Sequence, residues 1–310
     1  MPAPSHPVRY RIEYVLLVGC KAFFCVLPHA VAQGIAVGLG LVAYRLMASR
    51  RREALRRLRL VLGPEVPEKT LRREAWLSFR NLVLNLVDML RISRFDEKTL
   101  ARQIPQYAEC IRHLRDVLAQ ANGRGIILAL PHCGNWDLAG SAVFLAGLPI
   151  FSVAGKQRNP YFNKLLNDCR GGHGMEILER GESGGRVFLQ MLKRVRDGQI
   201  FAILPDSRSF APALSIPFLG GEANLARGMG LLSWKANAPI VPLVMRRVSW
   251  RTFRITFYPT LWPDLSASCE EEELRLTRTV VAHFDKAIRE TPGQWFWYNK
   301  RWVLDPPQER

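Results

Sequence analysis

The most apolar part of the chain is a long stretch near its N-terminus, residues 15–47. A few polar residues and Pro28 interrupt it, and its cleaner half, Val31 to Tyr44, is shorter than the roughly 20 residues that cross a bilayer as a helix. The stretch therefore predicts helices that either span a membrane once, with a kink at Pro28, or lie in the membrane interface. A buried helix of a soluble protein is the alternative, and the absence of a convincing cleavage site disfavours a signal peptide.

An arginine-rich run, SRRREALRRLRL at residues 49–60, follows the apolar stretch directly. Cytoplasmic flanks of membrane segments carry their positive charges in this position. We therefore expect residues 1–48 to form a membrane-associated helical segment that attaches from the cytoplasmic side, and residues 49–310 to form the main domain.

The hydrophobic pattern changes along this main domain. Residues 49–120 have apolar positions at helical spacing. Within 71–91 these predict a core-facing stripe of Trp76, Phe79, Leu82, Val83, Leu86 and Leu90. Residues 121–262 alternate short apolar runs with amphipathic helices, which predicts an α/β fold with a central mixed sheet covered by helices. Residues 263–310 add a final amphipathic helix and a tail.

Positive charge is in large excess, since 44 Lys and Arg stand against 27 Asp and Glu and give a formal net charge of +17. Such an excess indicates an anionic partner: nucleic acid, phospholipid headgroups or an acidic protein. Nucleic acid is disfavoured, because the chain has no zinc-finger spacing, aromatic RNA-binding motif or basic heptad pattern. The six cysteines form no C-x-x-C pair, so we expect neither a metal site nor a disulfide framework.

Candidate chemistry lies after the first predicted strand of the sheet, in LPHCGNWDLAG at residues 130–140. Open α/β sheets collect reactive groups at the carboxyl ends of their strands. Asn135 can cap the helix that follows, and Asp137 in its first turn can reach back to His132. The aspartate would then fix the imidazole tautomer and stabilise the imidazolium, which makes His132 a general base. The competing interpretation is a structural histidine near an aspartate that complements the helix dipole.

The motif H-x-x-N-W-D formed by these residues resembles the bacterial lipid A biosynthesis acyltransferases. Related phosphatidylinositol mannoside acyltransferases and the wider glycerolipid acyltransferases share a His-x4-Asp or His-x4-Glu signature. The likeness continues in order along the chain, in Arg158-Asn159-Pro160, Arg170-Gly171, LPDS around Asp206, PIVPLVMRR from Pro239 and a P-x-Q-W-x-W pattern that ends at Trp297.

The resemblance implies a glycerolipid acyltransferase-like fold and transfer of a fatty acyl group from an acyl thioester to a hydroxyl of a saccharide lipid. His132 would be the base and Asp137 its orienting partner, without a covalent acyl-enzyme. The substrate-binding residues implied are Arg158, Arg170, Asp206 and Asn135. The arginines suit a phosphate of the donor or of the lipid headgroup, because guanidinium groups bind phosphate by paired hydrogen bonds.

The implied co-substrate is acyl-acyl carrier protein or acyl-coenzyme A, with no further cofactor. Acyl carrier protein is acidic, so a basic surface would speed its docking as a transient partner. The implied location is the cytoplasmic face of a bacterial inner membrane. Asp137 stands where many lipid A enzymes have Glu, and Asn299 stands where His is common. The ordered likeness from His132 to Trp297 implies a lipid A precursor as the acceptor, and these two differences leave lysophosphatidic acid as the alternative.

A serine hydrolase is a lower-ranked alternative from another class of enzyme. GESGG, residues 181–185, matches the G-x-S-x-G pattern with Ser183 as nucleophile, and Asp206 and His283 follow in the usual order. However, the preceding run MEILER is highly charged for a central strand, and His283 lies within an amphipathic helix. A non-enzymatic basic scaffold on a membrane explains the charge but not a His–Asp pair at a strand end.

Overall fold

A computed structural model describes residues 7–155, 159–170, 175–180, 184–209, 213–300 and 302–305. The helices before the sheet are α1 (Pro7–Val26), α2 (His29–Leu46), α3 (Ala48–Leu62), α4 (Glu68–Leu90), α5 (Glu97–Gln103) and α6 (Tyr107–Gln120). The α/β part consists of β1 (Ile127–Ala129), α7 (Trp136–Leu145), β2 (Ile150–Gly155), α8 (Pro160–Arg170), β3 (Glu176–Arg180), α9 (Gly184–Arg196), β4 (Ile200–Ile203), β5 (Leu214–Phe218), β6 (Gly221–Leu225), α10 (Met229–Ala236), β7 (Ile240–Arg247) and β8 (Phe253–Phe257). The last long helix is α11 (Cys269–Glu290), which is followed by a 3₁₀ turn at Pro292–Gln294 and the tail.

Six strands form one sheet in the order β3-β2-β4-β1-β7-β8. Its strands are parallel except for β8, which pairs antiparallel with β7. The mixed α/β architecture expected from the alternating pattern is therefore confirmed. The run MEILER forms β3 at the edge of the sheet, not in its centre.

Helices cover both faces of the sheet, as the residues of β1 show. Ile127 and Ala129 point into one apolar cluster, with residues of α3, α10, α11 and the tail, whereas Leu128 points into another, with residues of α5, α6 and α7. Successive strand side chains point to opposite faces, so a strand covered on both sides needs apolar residues throughout. This explains why the run before His132 is uniformly apolar.

The two N-terminal helices are separated at Pro28, as the sequence predicted, and both pack on the rest of the protein. α1 contacts α8, and α2 lies along α4 with Ala32, Gln33, Ala36, Gly40 and Tyr44 buried. Within the described part of the chain, α2 alone is long and apolar enough to cross a membrane, a property that buried helices of soluble proteins share. The opposite side of α2 carries an exposed apolar stripe of Val31, Ile35, Leu39, Val42 and Leu46.

The stripe predicted for residues 71–91 is only partly correct. Phe79 and Leu90 are buried, but Leu86 on the same stripe is 51 % exposed. The buried side of α4 instead includes polar residues at helical spacing, namely Ser78, Asn81, Asn85 and Asp88. Hydrophobic periodicity missed them because it assigns polar side chains to solvent, whereas these have hydrogen-bond partners inside the protein.

The β5–β6 hairpin was not predicted from the sequence. Its turn places both Leu219 and Gly220 at positive φ, of 54° and 85°. Such two-residue turns favour Asn or Gly at both positions, so a leucine gave no turn signal. Leu219 is buried, and packing of its side chain compensates for the unfavourable backbone conformation.

Candidate active site

The candidate histidine lies on the loop that leaves the centre of the sheet. β1 runs parallel to its neighbours β4 and β7, so the carboxyl ends of all three strands lie at the same end of the sheet. The loop turns at Gly134, with φ of +59°, where a Cβ atom would lie 2.1 Å from the carbonyl oxygen of Met245. Only glycine fits there, because the backbone conformation and the close approach of β7 both exclude a side chain.

Asp206, shortly after β4, holds His132 at two points. Its Oδ1 lies 2.7 Å from His132 Nδ1, and its Oδ2 accepts a hydrogen bond of 2.7 Å from the backbone N–H of His132. Trp295 Nε1, from the C-terminal tail, donates a third hydrogen bond of 2.7 Å to Oδ2. With Nδ1 donating to the carboxylate, the neutral ring carries its basic lone pair on Nε2. This is the arrangement that a histidine general base requires.

Burial and hydrogen bonding act in opposite directions on Asp206. Burial alone would raise the pKa of the carboxyl group, but His132 and the indole of Trp295 favour the charged form and leave the pKa below its ordinary value. Ionised Asp206 therefore stabilises the fold above the unfolded-state pKa of about 3.9. That contribution is lost as the pH falls toward the lower folded-state pKa.

The sequence predicted Asp137 as the aspartate that orients the imidazole, and in the structure Asp206 makes the contact with Nδ1. Because Asp206 also binds the backbone N–H of His132, the loop and the ring are held together on the side of β4. Asp137 lies, partly exposed, in the first turn of α7. The buried carboxylate of Asp206 has three hydrogen-bond partners within the protein, and the substrate-binding role implied for it stays a prediction. The part that Asp137 plays in the reaction stays a prediction.

Asn135 caps α7, as the sequence predicted, since its Oδ1 accepts a hydrogen bond of 3.1 Å from the backbone N–H of Leu138. Its Nδ2 donates to Asp88 Oδ2 at 3.0 Å, and the residue is 1 % exposed. Both polar groups of the side chain are thus used inside the protein. These contacts support the loop that carries His132, and a role of Asn135 in binding substrate stays a prediction.

A small, partly open cleft lies beside His132. Its lining combines polar residues of α4 with apolar rings and residues of the loop and tail: Ser78, Asn81, Leu82, Asn85, His132, Gly134, Trp136, Gln294, Trp295 and Phe296. The ring of Trp136 meets that of His132 edge to face, with centroids 5.1 Å apart. The His132 side chain is 28 % exposed whereas that of Asp206 is fully buried, so this pair reaches the cleft through the histidine.

Three predicted residues lie partly or wholly outside the described structure. Arg158 and Ser183 are outside the described residues, and of Arg170 only its backbone position at the end of α8 is described. Asn159, next to Arg158, caps the N-terminus of α8, because its Oδ1 accepts hydrogen bonds from the backbone N–H groups of Tyr161 and Phe162. The roles of both arginines stay predictions.

The serine hydrolase alternative does not agree with the described geometry. It requires Asp206 to orient His283, but Asp206 bonds to His132. His283 instead stacks on Tyr258 within α11, with ring centroids 4.5 Å apart. The strand that would lead to the nucleophile is β3 at the sheet edge, whereas a nucleophile elbow normally follows a central strand.

Comparison with known proteins identifies the family of the chain. The family model described as bacterial lipid A biosynthesis acyltransferase matches residues 2–303, so the chain belongs to that family and is an acyltransferase. A phosphatidylinositol mannoside acyltransferase of Mycolicibacterium smegmatis is 24 % identical over 287 residues, covering 92 % of this chain and 89 % of that protein. A protein of the same description from Mycobacterium tuberculosis (strain CDC 1551 / Oshkosh) is 23 % identical over 72 % of this chain and 68 % of its own length. The lipid A biosynthesis acyltransferase of Haemophilus influenzae is 24 % identical over 58 % of this chain and 54 % of its own length. Family membership supports transfer to a glycolipid.

Proposed function

We propose that His132 is the general base of a transfer of a fatty acyl group from an acyl thioester to a hydroxyl of a saccharide lipid. The contact of His132 Nδ1 with Asp206 is the observation that carries this proposal, because it leaves Nε2 as the basic nitrogen of the neutral ring. The position of the pair at the carboxyl end of β1, beside a cleft, supports it further.

In the proposed reaction His132 Nε2 takes the proton of the acceptor hydroxyl while the oxygen attacks the thioester carbonyl. Asp206 stabilises the imidazolium that forms, as an aspartate does in a catalytic triad. The tetrahedral intermediate then expels the thiolate, and the imidazolium returns the proton to the sulfur. The products are the lipid ester and the free thiol of the donor.

A lipid A precursor is the proposed acceptor, and acyl-acyl carrier protein or acyl-coenzyme A is the proposed donor. The match of the lipid A family model to nearly the whole chain supports this acceptor. A phosphatidylinositol mannoside is the second candidate, because the mycobacterial relatives named for it cover more of the chain than the Haemophilus relative.

We expect the purified protein to acylate a saccharide lipid. In the assay each donor is combined in turn with a lipid A precursor, a phosphatidylinositol mannoside or lysophosphatidic acid. Mass spectrometry of the products locates the new ester, and a His132→Ala protein is the control for uncatalysed transfer. Acylation of lysophosphatidic acid alone would contradict the saccharide acceptor. Acylation of the mannoside alone would show that the acceptor is the phosphatidylinositol mannoside and not the lipid A precursor.

Membrane attachment at the cytoplasmic face of a bacterial inner membrane is part of the proposal. The exposed apolar stripe of α2 supports it, as do the exposed residues of α1: Val8, Ile12, Val15, Leu16, Phe23 and Val26. One side of α2 is packed along α4, so a helix lying in the interface with its stripe in lipid fits better than a lipid-surrounded span. The arginines of α3 follow directly and suit anionic headgroups.

Leu39→Gln is expected to lower partitioning into anionic phospholipid vesicles by about tenfold, because a buried leucine contributes roughly 1.5 kcal/mol or more. Vesicle sedimentation measures the effect, and Leu265→Gln is the matched control at an exposed leucine outside α1 and α2. High salt is expected to leave most of the protein bound, because screening does not weaken apolar burial. Complete release of the protein by salt would contradict an apolar anchor.

A further inference from the structure

Asp88, on α4, is the centre of a second buried polar cluster. The residue is 2 % exposed and accepts hydrogen bonds from four side chains: His29 Nε2 at 2.9 Å, Gln33 Nε2 at 3.3 Å, Asn135 Nδ2 at 3.0 Å and Arg247 Nη2 at 2.7 Å. Arg247 is also buried and supplies the opposite charge. A carboxylate is stable in the interior only with such partners, so this cluster has a defined geometry.

The cluster holds the histidine loop at two successive residues. Asn135 is bound directly by Asp88, and the carbonyl oxygen of Gly134 accepts a hydrogen bond from Asn85 Nδ2. Asn85 Oδ1 in turn accepts from Arg247 Nη2 at 2.7 Å, which joins both contacts in one network. His132 therefore has two supports: Asp206 fixes its ring, and the Asp88 cluster fixes the backbone that carries it.

The cluster also includes the inner side of α2. His29 and Gln33 reach Asp88 from that side, and Gln33 Nε2 donates a second hydrogen bond of 3.0 Å to the carbonyl oxygen of Trp250, after β7. Arg247 Nη1 donates to the same carbonyl oxygen. The helix whose outer side carries the apolar stripe is thus tied, through its inner side, to the support of the histidine loop.

We propose that Asp88 is a positioning residue for His132, and that α2 takes part in this positioning through His29 and Gln33. The proposal rests on the function proposed above and extends it. Residues 1–48 are then more than an anchor, because α2 contributes to the geometry of the reaction. Positioning acts on kcat, since a small displacement of a reacting group raises the barrier without removing a contact with the substrate.

Asn135→Ser tests the link between Asp88 and the loop. Serine also caps helices, but its hydroxyl lies one bond nearer to Cβ than the amide nitrogen of Asn135 and falls short of Asp88, so the cap of α7 is kept while the hydrogen bond to Asp88 is lost. Asp88→Asn is less informative, because it would leave Arg247 buried without its counter-charge. In Asn135→Ser we expect kcat to fall about tenfold or more, with KM for either substrate changed less than about twofold. The matched control is Asp96→Ser, which exchanges the cap of α5.

The double variant His29→Phe/Gln33→Met tests whether α2 contributes to the positioning of His132. It removes both donors with side chains of similar size and leaves the exposed stripe unchanged. We expect a lower kcat with vesicle binding unchanged, whereas the control Gln190→Met, on the exposed side of α9, keeps the wild-type kcat. A wild-type kcat in the double variant would overturn the contribution of α2.

A direct readout separates this proposal from the function on which it rests. NMR is the measurement for the proton on His132 Nδ1, which lies in the hydrogen bond to Asp206, and we expect its resonance to shift in Asn135→Ser and to keep its wild-type position in Asp96→Ser. An unshifted resonance with a wild-type kcat per folded molecule would overturn the positioning role. If His132→Ala itself kept full activity, the proposed function would fail, whatever the resonance showed.

Discussion

Replacing His132 by alanine is expected to lower kcat by about 10²- to 10⁴-fold, the usual contribution of a general base. Without the imidazole the acceptor hydroxyl must lose its proton to water during attack on the thioester. The fold is expected to persist, because the His132 side chain is partly exposed and Asp206 keeps the donors of the His132 backbone and Trp295. Initial rates of ester formation with purified protein measure the loss.

His283→Ala is the matched control for this prediction. His283 is also partly buried, and its ring stacks on Tyr258. Its replacement is expected to leave acyl transfer near the wild-type rate. A folded His132→Ala protein with near wild-type kcat would remove the proposed base. Loss of activity in His283→Ala, with labelling of Ser183 by a fluorophosphonate, would restore the hydrolase alternative.

Asp206→Asn is expected to lower kcat by about 10³-fold or more, comparable to the loss in other enzymes when an orienting aspartate becomes asparagine. Oδ2 accepts from two N–H groups, those of the His132 backbone and Trp295. An asparagine would therefore place its oxygen there and turn its NH₂ group toward His132 Nδ1. The ring would then carry its proton on Nε2 and could not accept the proton of the substrate.

The pH dependence of the residual activity checks the same variant. Loss of the carboxylate removes the charge that favours the imidazolium form, so the acid limb of kcat/KM is expected to move to lower pH. An unchanged acid limb in a folded Asp206→Asn protein would show that this carboxylate does not act on the base.

Asp137→Asn is the informative comparison, because the sequence predicted that Asp137 orients the His132 imidazole. The low-field resonance of the His132 Nδ1 proton is expected to disappear in Asp206→Asn and to remain in Asp137→Asn. If it disappeared in Asp137→Asn alone, the sequence-based assignment of the partner would be correct. If Asp137→Asn lowered kcat while the resonance stayed intact, Asp137 would contribute to the reaction by some means other than orienting the His132 ring.

Local signals account for what could be predicted of the site. The apolar run before His132 indicates a strand with both faces covered, and the asparagine before an apolar helical pattern indicates the cap of α7. Both features depend on residues within a few positions of each other, so the sequence contains all the information needed. Pro28 likewise separates α1 from α2 by its own backbone restriction.

The partners of these residues could not be predicted in the same way. Asp206 is 74 residues beyond His132 and becomes its neighbour only because β4 pairs with β1. Asp88 meets Asn135 because α4 packs against α7, and the polar residues of α4 resemble a solvated face until those contacts form. The resemblance pointed to Asp206 as an active-site residue, but it gave no indication that this residue contacts the histidine ring.

The sequence by itself determined the alternation of helix and strand, the place of the histidine at a strand end, the cap after it and the apolar N-terminus. Each of these follows from short-range periodicity or from the backbone preference of single residues. The tertiary structure decided which carboxylate orients His132, which polar residues of α4 are buried and how α2 joins their cluster. Those choices depend on strand order and helix packing, which bring residues that are distant in the sequence together. Burial of apolar surface drives this packing, but many different pairings of strands and helices would bury similar surface, so the sequence pattern does not select one of them.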